Sequence, residues 1–153
     1  MIRTALPADE PILRELDRVT WSTLHSPAPA PAADRPFELD GVLVAELADG
    51  LAGYVKLGQA LPLRSSEHIL EIKGLSVAPE HRRRGVGRAL IGAAVQQARA
   101  AGARRLMLRV LGHNLGAREL YAQCGFEVEG VHRELFLLDG RYVDDIWMAR
   151  SLT

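Results

Sequence analysis

The sequence predicts an α/β (α+β) fold: a mixed, mostly antiparallel central sheet of about seven strands with helices on both faces. Three observations carry that reading. Apolar residues alternate in short runs and then recur at helical spacing in the order β α β β β α β α β β. Two strand pairs are joined through tight glycine-containing turns, Ala48-Asp49-Gly50 and Asp139-Gly140, which is hairpin chemistry. A long helical run stands between two strand-like runs, as a crossover between parallel strands would.

The elements follow in order. Ile2 to Ala5 reads as a short strand, and a helix begins near Ala8, where Ile12, Leu13, Leu16 and Val19 recur at helical spacing. Asp9, Glu10 and Glu15 suit the positive end of that helix. Ser26 to Pro36, SPAPAPAADRP, carries four prolines, which excludes regular helix and central strand. It is read as a long loop inside one domain spanning residues 1–153, with a linker or a mobile substrate lid as the competing readings. GVLVAEL, LAGYVKL and HILEIKGLSV then read as three strands. From Arg84 to Ala101 one apolar face is made by Val86, Ala89, Leu90, Ala93, Ala94, Ala98 and Ala101, and Gly102 ends the helix. RRLMLRVL is a strand, a helix runs from about Leu115 to Cys124 before Gly125, and two strands close the chain.

A chain of 153 residues is about one average domain, and 48% hydrophobic with 25% charged residues is ordinary for a globular protein. Nineteen basic and nineteen acidic side chains cancel, yet residues 1–50 carry 4 basic and 9 acidic side chains while residues 51–153 are basic in excess. The whole-chain balance argues against a nucleic-acid or membrane-surface binder but leaves room for a local anion site. No signal-peptide pattern and no run of roughly 20 apolar residues is present, so a cytoplasmic location is the expectation. The single cysteine, Cys124, forms no internal disulfide and agrees with a reducing compartment. Five scattered histidines lack partners at ligand spacing, so no metal is expected.

The most informative segment is His81-Arg82-Arg83-Arg84-Gly85-Val86-Gly87-Arg88, between a strand and a helix. A helix N-terminus offers unpaired N–H groups and partial positive charge, and glycines let an oxyanion approach the backbone. The segment is neither a GxxxxGK[ST] loop nor a complete GxGxxG, because Leu90 takes the third glycine's place. A solvated basic turn is the plain alternative. Arginines at a helix N-terminus cost roughly 0.3–1 kcal/mol each unless an anion answers them, which favours an anion site.

Arg82, Gly85 and Gly87 form an R-x-x-G-x-G signature, and Asn114, Ala117, Tyr121, Gly125 and Phe126 form NxxAxxxYxxxGF downstream. With both motifs inside a matching succession of elements, the chain resembles the GNAT superfamily of acetyl-CoA-dependent N-acetyltransferases over nearly its whole length. The resemblance implies a fold whose fourth and fifth strands splay apart. It implies that backbone amides from Arg83 through Gly85, Val86 and Gly87 to Arg88 hold the CoA pyrophosphate, and that the backbone at Leu75 and Val77 bonds the pantetheine arm. Asn114 and Ala117 would flank that arm from the other side, and Arg82, Arg84, Arg88 or Arg118 would meet the 3′-phosphate. The expected reaction is direct attack by a primary amine on acetyl-CoA in a ternary complex, with no metal. A homodimer is a further expectation, because dimers are common in the superfamily.

Backbone N–H groups near Leu75 to Val77 are the expected polarisers of the thioester carbonyl. Tyr121 is the expected donor to the leaving sulfur. A tyrosine (about 10) is a weaker acid than a thiol (about 8.5), so full transfer is uphill by roughly 2 kcal/mol and hydrogen-bond donation describes the role better. Ala117, Leu120, Tyr121 and Cys124 also share one helix face, which would make Tyr121 a core residue instead. Glu71 is the candidate base, with a spacing from Arg82 that resembles the histone-acetylating branch. If Leu70 and Ile72 face the core, Glu71 faces the acceptor side. A strand glutamate paired with Lys73 or Arg109 is the alternative.

Arg109 stands where the branch acetylating ribosomal-protein N-termini carries a glutamate base, and an arginine there suits a carboxylate. The ending LDGRYVDDIWMAR resembles members that acetylate amino acids or related small amines. A small primary amine is the expected acceptor. The alternatives are a protein N-terminus or lysine, or a non-catalytic CoA-binding module.

Overall fold

A computed structural model describes residues 1–153. Its elements are β1 (Ile2–Thr4), α1 (Glu10–Thr20), β2 (Val42–Leu47), β3 (Gly50–Gln59), β4 (Ile69–Val77), α2 (Val86–Ala100), β5 (Arg105–Leu111), α3 (Leu115–Gln123), β6 (Glu127–Leu138) and β7 (Arg141–Ser151). The order of strands and helices is the one the sequence pattern predicts. The seven strands form one sheet in the order β1-β2-β3-β4-β5-β7-β6. Only β4 and β5 run parallel, joined through α2 as a crossover.

Helices cover both faces. Val86, Leu90, Ile91, Ala94, Val95 and Ala98 of α2 pack with Leu106 and Leu108 of β5 and Ile146 and Met148 of β7, and Tyr121 and Phe126 join that core. Leu13 and Leu16 of α1 cover the other face over Val42, Val44 and Tyr54. Ile12 and Val19, expected on the same stripe, instead face solvent at about half exposure. Leu13 and Leu16 face inward as expected and Thr20 joins them, so the buried stripe runs i, i+3, i+7. No helix is long and apolar enough to cross a membrane.

Two irregularities position the site. Between Lys56/Leu57 of β3 and Gly74/Ile72 of β4 the register shifts by one, leaving Lys73 as the extra residue of a β-bulge. The bulge resets the alternation, so Leu70, Ile72, Leu75 and Val77 all pack toward the α2 core. In addition, β4 and β5 pair only from Ile69–Arg105 to Ile72–Leu108. Beyond that point the strands separate, as the resemblance implied, and a cleft opens through the middle of the sheet.

Candidate active site

The cleft is lined by unpaired backbone. Ala78 N–H donates to Ala52 C=O at 2.8 Å, which fixes the β3–β4 ladder phase. By antiparallel alternation Gly74 and Ser76 then face β3, and the N–H and C=O groups of Leu75 and Val77 face the cleft. The Val77 carbonyl is engaged there by Arg82 Nε at 3.2 Å.

The basic loop continues from this strand. Arg83 (φ 62°) and Gly85 (φ 79°) adopt left-handed conformations that turn the chain into α2. As a result the N–H groups of Arg83, Arg84, Gly85, Val86, Gly87 and Arg88 donate to no backbone carbonyl. Six successive free donors at a helix N-terminus, with no side-chain cap, are a donor set of the kind that can hold an anion. A pyrophosphate fits this donor set. Among the neighbouring arginines, Arg82 holds Val77, Arg88 reaches Gln123 Oε1 at 2.6 Å and Arg118 donates to the Gly112 carbonyl at 3.0 Å. Arg83 and Arg84 are exposed and make no such bond, which leaves them available to an incoming phosphate.

Asn114 caps α3, its Oδ1 accepting from Ala117 N–H at 3.2 Å, so its amide NH₂ remains for a ligand. Tyr121 is buried in the α2-side core, edge-on to Phe126 at 6.0 Å. Burial pushes its phenol up to about 12, and the nearby Cys124 adds to the shift. The site therefore makes Tyr121 a weaker acid than a free tyrosine.

On the opposite face of the sheet a cavity of about 370 Å³ opens beside β4 and β5, of the size small-molecule sites have. Glu71, Ser76, Arg109 and Asp145 line it, with Asp17 and Tyr54 at the α1 side. Glu71 faces the cavity, as alternation predicts, and burial raises its carboxyl pKa against the opposing pull of Lys73 and Arg109. No ion pair ties Glu71 to either residue. Pro27, Pro29 and Pro31 form part of the cavity wall, and Trp21 Nε1 donates to the Ala28 carbonyl at 3.0 Å. The proline-rich segment thus lies against the pocket.

Asp145, His25 and Asp17 were not singled out by sequence reasoning. For Asp145 a signal existed: Asp144 and Asp145 are consecutive on β7, so the alternation of a strand must turn one of them inward. His25 enters through the irregular loop, which has no periodicity to read. Among the histidines, His132 lies 4.0 Å from Asp145, His113 bonds the Thr23 carbonyl at 3.0 Å, and His68 is exposed.

Comparison with known proteins agrees with this geometry. Residues 11–126 match the model of the Acetyltransferase (GNAT) family. The chain is 31% identical to the L-amino acid N-acetyltransferase AaaT of Escherichia coli, over 98% of this chain and 96% of that protein. Among solved structures, smu.2055 from Streptococcus mutans superposes with a TM-score of 0.89 at 29% identity, covering 100% of this chain and 99% of that one. A GNAT superfamily phosphinothricin acetyltransferase from Sinorhizobium meliloti, solved with acetyl-CoA, shares the fold at a TM-score of 0.86 and 22% identity, covering 99% of this chain and 87% of that one. With a matched family model, a full-length relative and a sheet that splays where the family motifs lie, this chain belongs to the GNAT family of acetyltransferases.

Proposed function

We propose that this protein transfers an acetyl group from acetyl-CoA to the primary amine of a small molecule bearing a carboxylate, an amino acid or related amine, by direct attack in a ternary complex. The observation that carries the reading is the pairing of two half-sites across one splayed sheet. On one side six free N–H groups from Arg83 to Arg88 fit a pyrophosphate. On the other, Glu71 and Arg109 share a cavity of about 370 Å³, of a size that suits a small molecule.

Each residue has a defined task in this reading. Acetyl-CoA, when bound, supplies the acyl group on a thioester. Leu75 and Val77 align the pantetheine arm through their backbone, with Asn114 and Ala117 opposite, and N–H groups of this strand stabilise charge developing on the carbonyl oxygen. Glu71, its pKa raised by burial, accepts the amine proton through a water, since direct transfer from an alkylammonium spans about six units on reference values. With Tyr121 at about 12, full proton transfer to a thiolate is uphill by about 5 kcal/mol. Tyr121 therefore acts by hydrogen-bond donation to the sulfur. Arg109 receives the acceptor carboxylate.

The test is release of free thiol from acetyl-CoA against a panel of L-amino acids, simple alkylamines and a peptide with a free N-terminus. Turnover on carboxylate-bearing amines supports the reading. Turnover confined to the peptide would redirect it to a protein acetyltransferase, and CoA binding with no turnover to a cofactor-binding module.

A further inference from the structure

Asp145 on β7 lies opposite Leu111 of β5 and His132 of β6, and it is 3% exposed. Its Oδ2 has no hydrogen-bond partner. The nearest basic atom is His132 Nδ1 at 4.0 Å, on a side chain that is mostly in water. No lysine or arginine completes an ion pair with it. Arg109 lines the same cavity, but its guanidinium is stacked over Trp147, 5.1 Å from the ring centre.

A buried carboxylate without a donor is costly when ionised, and buried charges are as a rule paired. Here the unpartnered oxygen belongs to a residue that lines an open cavity, and the charge of Asp145 is felt by Glu71, the second acid of that cavity. Lys73 and Arg109 answer Glu71 in part, but no lysine or arginine comes within ion-pair reach of Asp145.

We propose that Asp145 binds the ammonium group of the acceptor through its carboxylate, in the cavity it shares with Glu71, so that the cavity selects a cationic nitrogen rather than merely a molecule of fitting shape. The inference rests on the acceptor pocket proposed above and adds the residue that recognises its amine. Asp145 is a binding residue in this account. It delivers the ammonium to Glu71, which takes the proton, and Arg109 holds the opposite end of a zwitterion.

The probes are L-leucine and 2-hydroxy-4-methylpentanoate, the same skeleton with hydroxyl in place of ammonium, titrated calorimetrically into the CoA-saturated protein. The wild type is expected to bind L-leucine at least tenfold more tightly than the hydroxy acid. In Asp145→Asn, which keeps the shape and removes the charge, that preference is expected to fall to within about twofold, with CoA affinity unchanged. A preference retained in a folded Asp145→Asn overturns the inference. A wild type that binds neither probe, or binds both alike, overturns it without recourse to any variant. Acetylation of amines with the preference unaffected by Asp145→Asn leaves the proposed function standing and removes only this assignment, whereas a protein that binds no CoA and acetylates no amine loses both.

Discussion

The guanidinium of Arg109 lies 5.1 Å from the centre of the Trp147 ring, directly across the β5–β7 ladder where the two residues are register partners. Stacking on an aromatic face holds the cation without neutralising it, so its planar donor fork stays free for a ligand. Arg109→Gln is expected to raise KM about tenfold for L-leucine and to leave KM for 3-methylbutylamine, which lacks the carboxylate, within twofold. A bidentate charge-assisted contact is worth about this much. Equal losses on both amines would assign Arg109 a packing role.

Glu71 supplies a pH signature. Burial raises its pKa, so the protonated form is favoured in the folded protein and the base becomes active only as pH rises through a value above the ordinary glutamate range. The profile of kcat/KM is expected to show an acidic limb above pH ~4.3, and Glu71→Gln to lower kcat by about 100-fold and abolish that limb. Linkage gives an independent readout. A raised folded pKa contributes stability that is full below the unfolded value near 4.3 and is lost as pH rises through the folded value. Glu71→Gln is therefore expected to gain in melting temperature, relative to wild type, between acid and neutral pH.

Tyr121 separates chemistry from packing. Its ring is buried in the core under α2. Tyr121→Phe keeps the ring against Phe126, so the melting temperature is expected to change little while kcat falls about tenfold, the lower end of what loss of an acid or hydrogen-bond donor costs. An unchanged kcat would leave Tyr121 as a core residue.

The basic loop predicts which phosphate is recognised by side chains. Because Arg88 and Arg118 are committed to Gln123 and the Gly112 carbonyl, Arg84 is the candidate for the 3′-phosphate. Arg84→Ala is expected to weaken CoA binding by about fivefold, the scale of an exposed ion pair, and to leave 3′-dephospho-CoA unaffected. Calorimetry with the two ligands checks it.

The order of elements and the basic turn leading into α2 were legible in the sequence because both are local. Hairpin turns and helical stripes need only neighbouring residues, and R-x-x-G-x-G reports a left-handed turn into a helix, realised here at Arg83 and Gly85. What depends on a second strand was not legible. The bulge at Lys73 exists only against Lys56 and Leu57 of β3, and it is what keeps Leu75 and Val77 on the core face while turning their backbone to the cleft. Likewise the commitment of Arg88 to Gln123, 35 positions away, removes a candidate that the charge pattern alone could not remove. Glu71 was nominated by its spacing from Arg82, with alternation giving its facing, but Asp145 lies on a strand 74 positions later and comes to the same cavity only through the sheet order β4-β5-β7. The proline-rich segment carried no periodicity, so its place against the pocket followed from the fold alone.

The proposed function requires one splayed sheet to bring acetyl-CoA and a small carboxylate-bearing amine together for direct transfer. Incubation of the purified protein with acetyl-CoA and L-leucine, followed by mass analysis of the amino acid and titration of free thiol, tests it most directly. The account predicts N-acetyl-leucine and CoA thiol in equal amounts, formed faster than from 3-methylbutylamine. Thiol release without an acetylated amine, or product from neither amine, would contradict it.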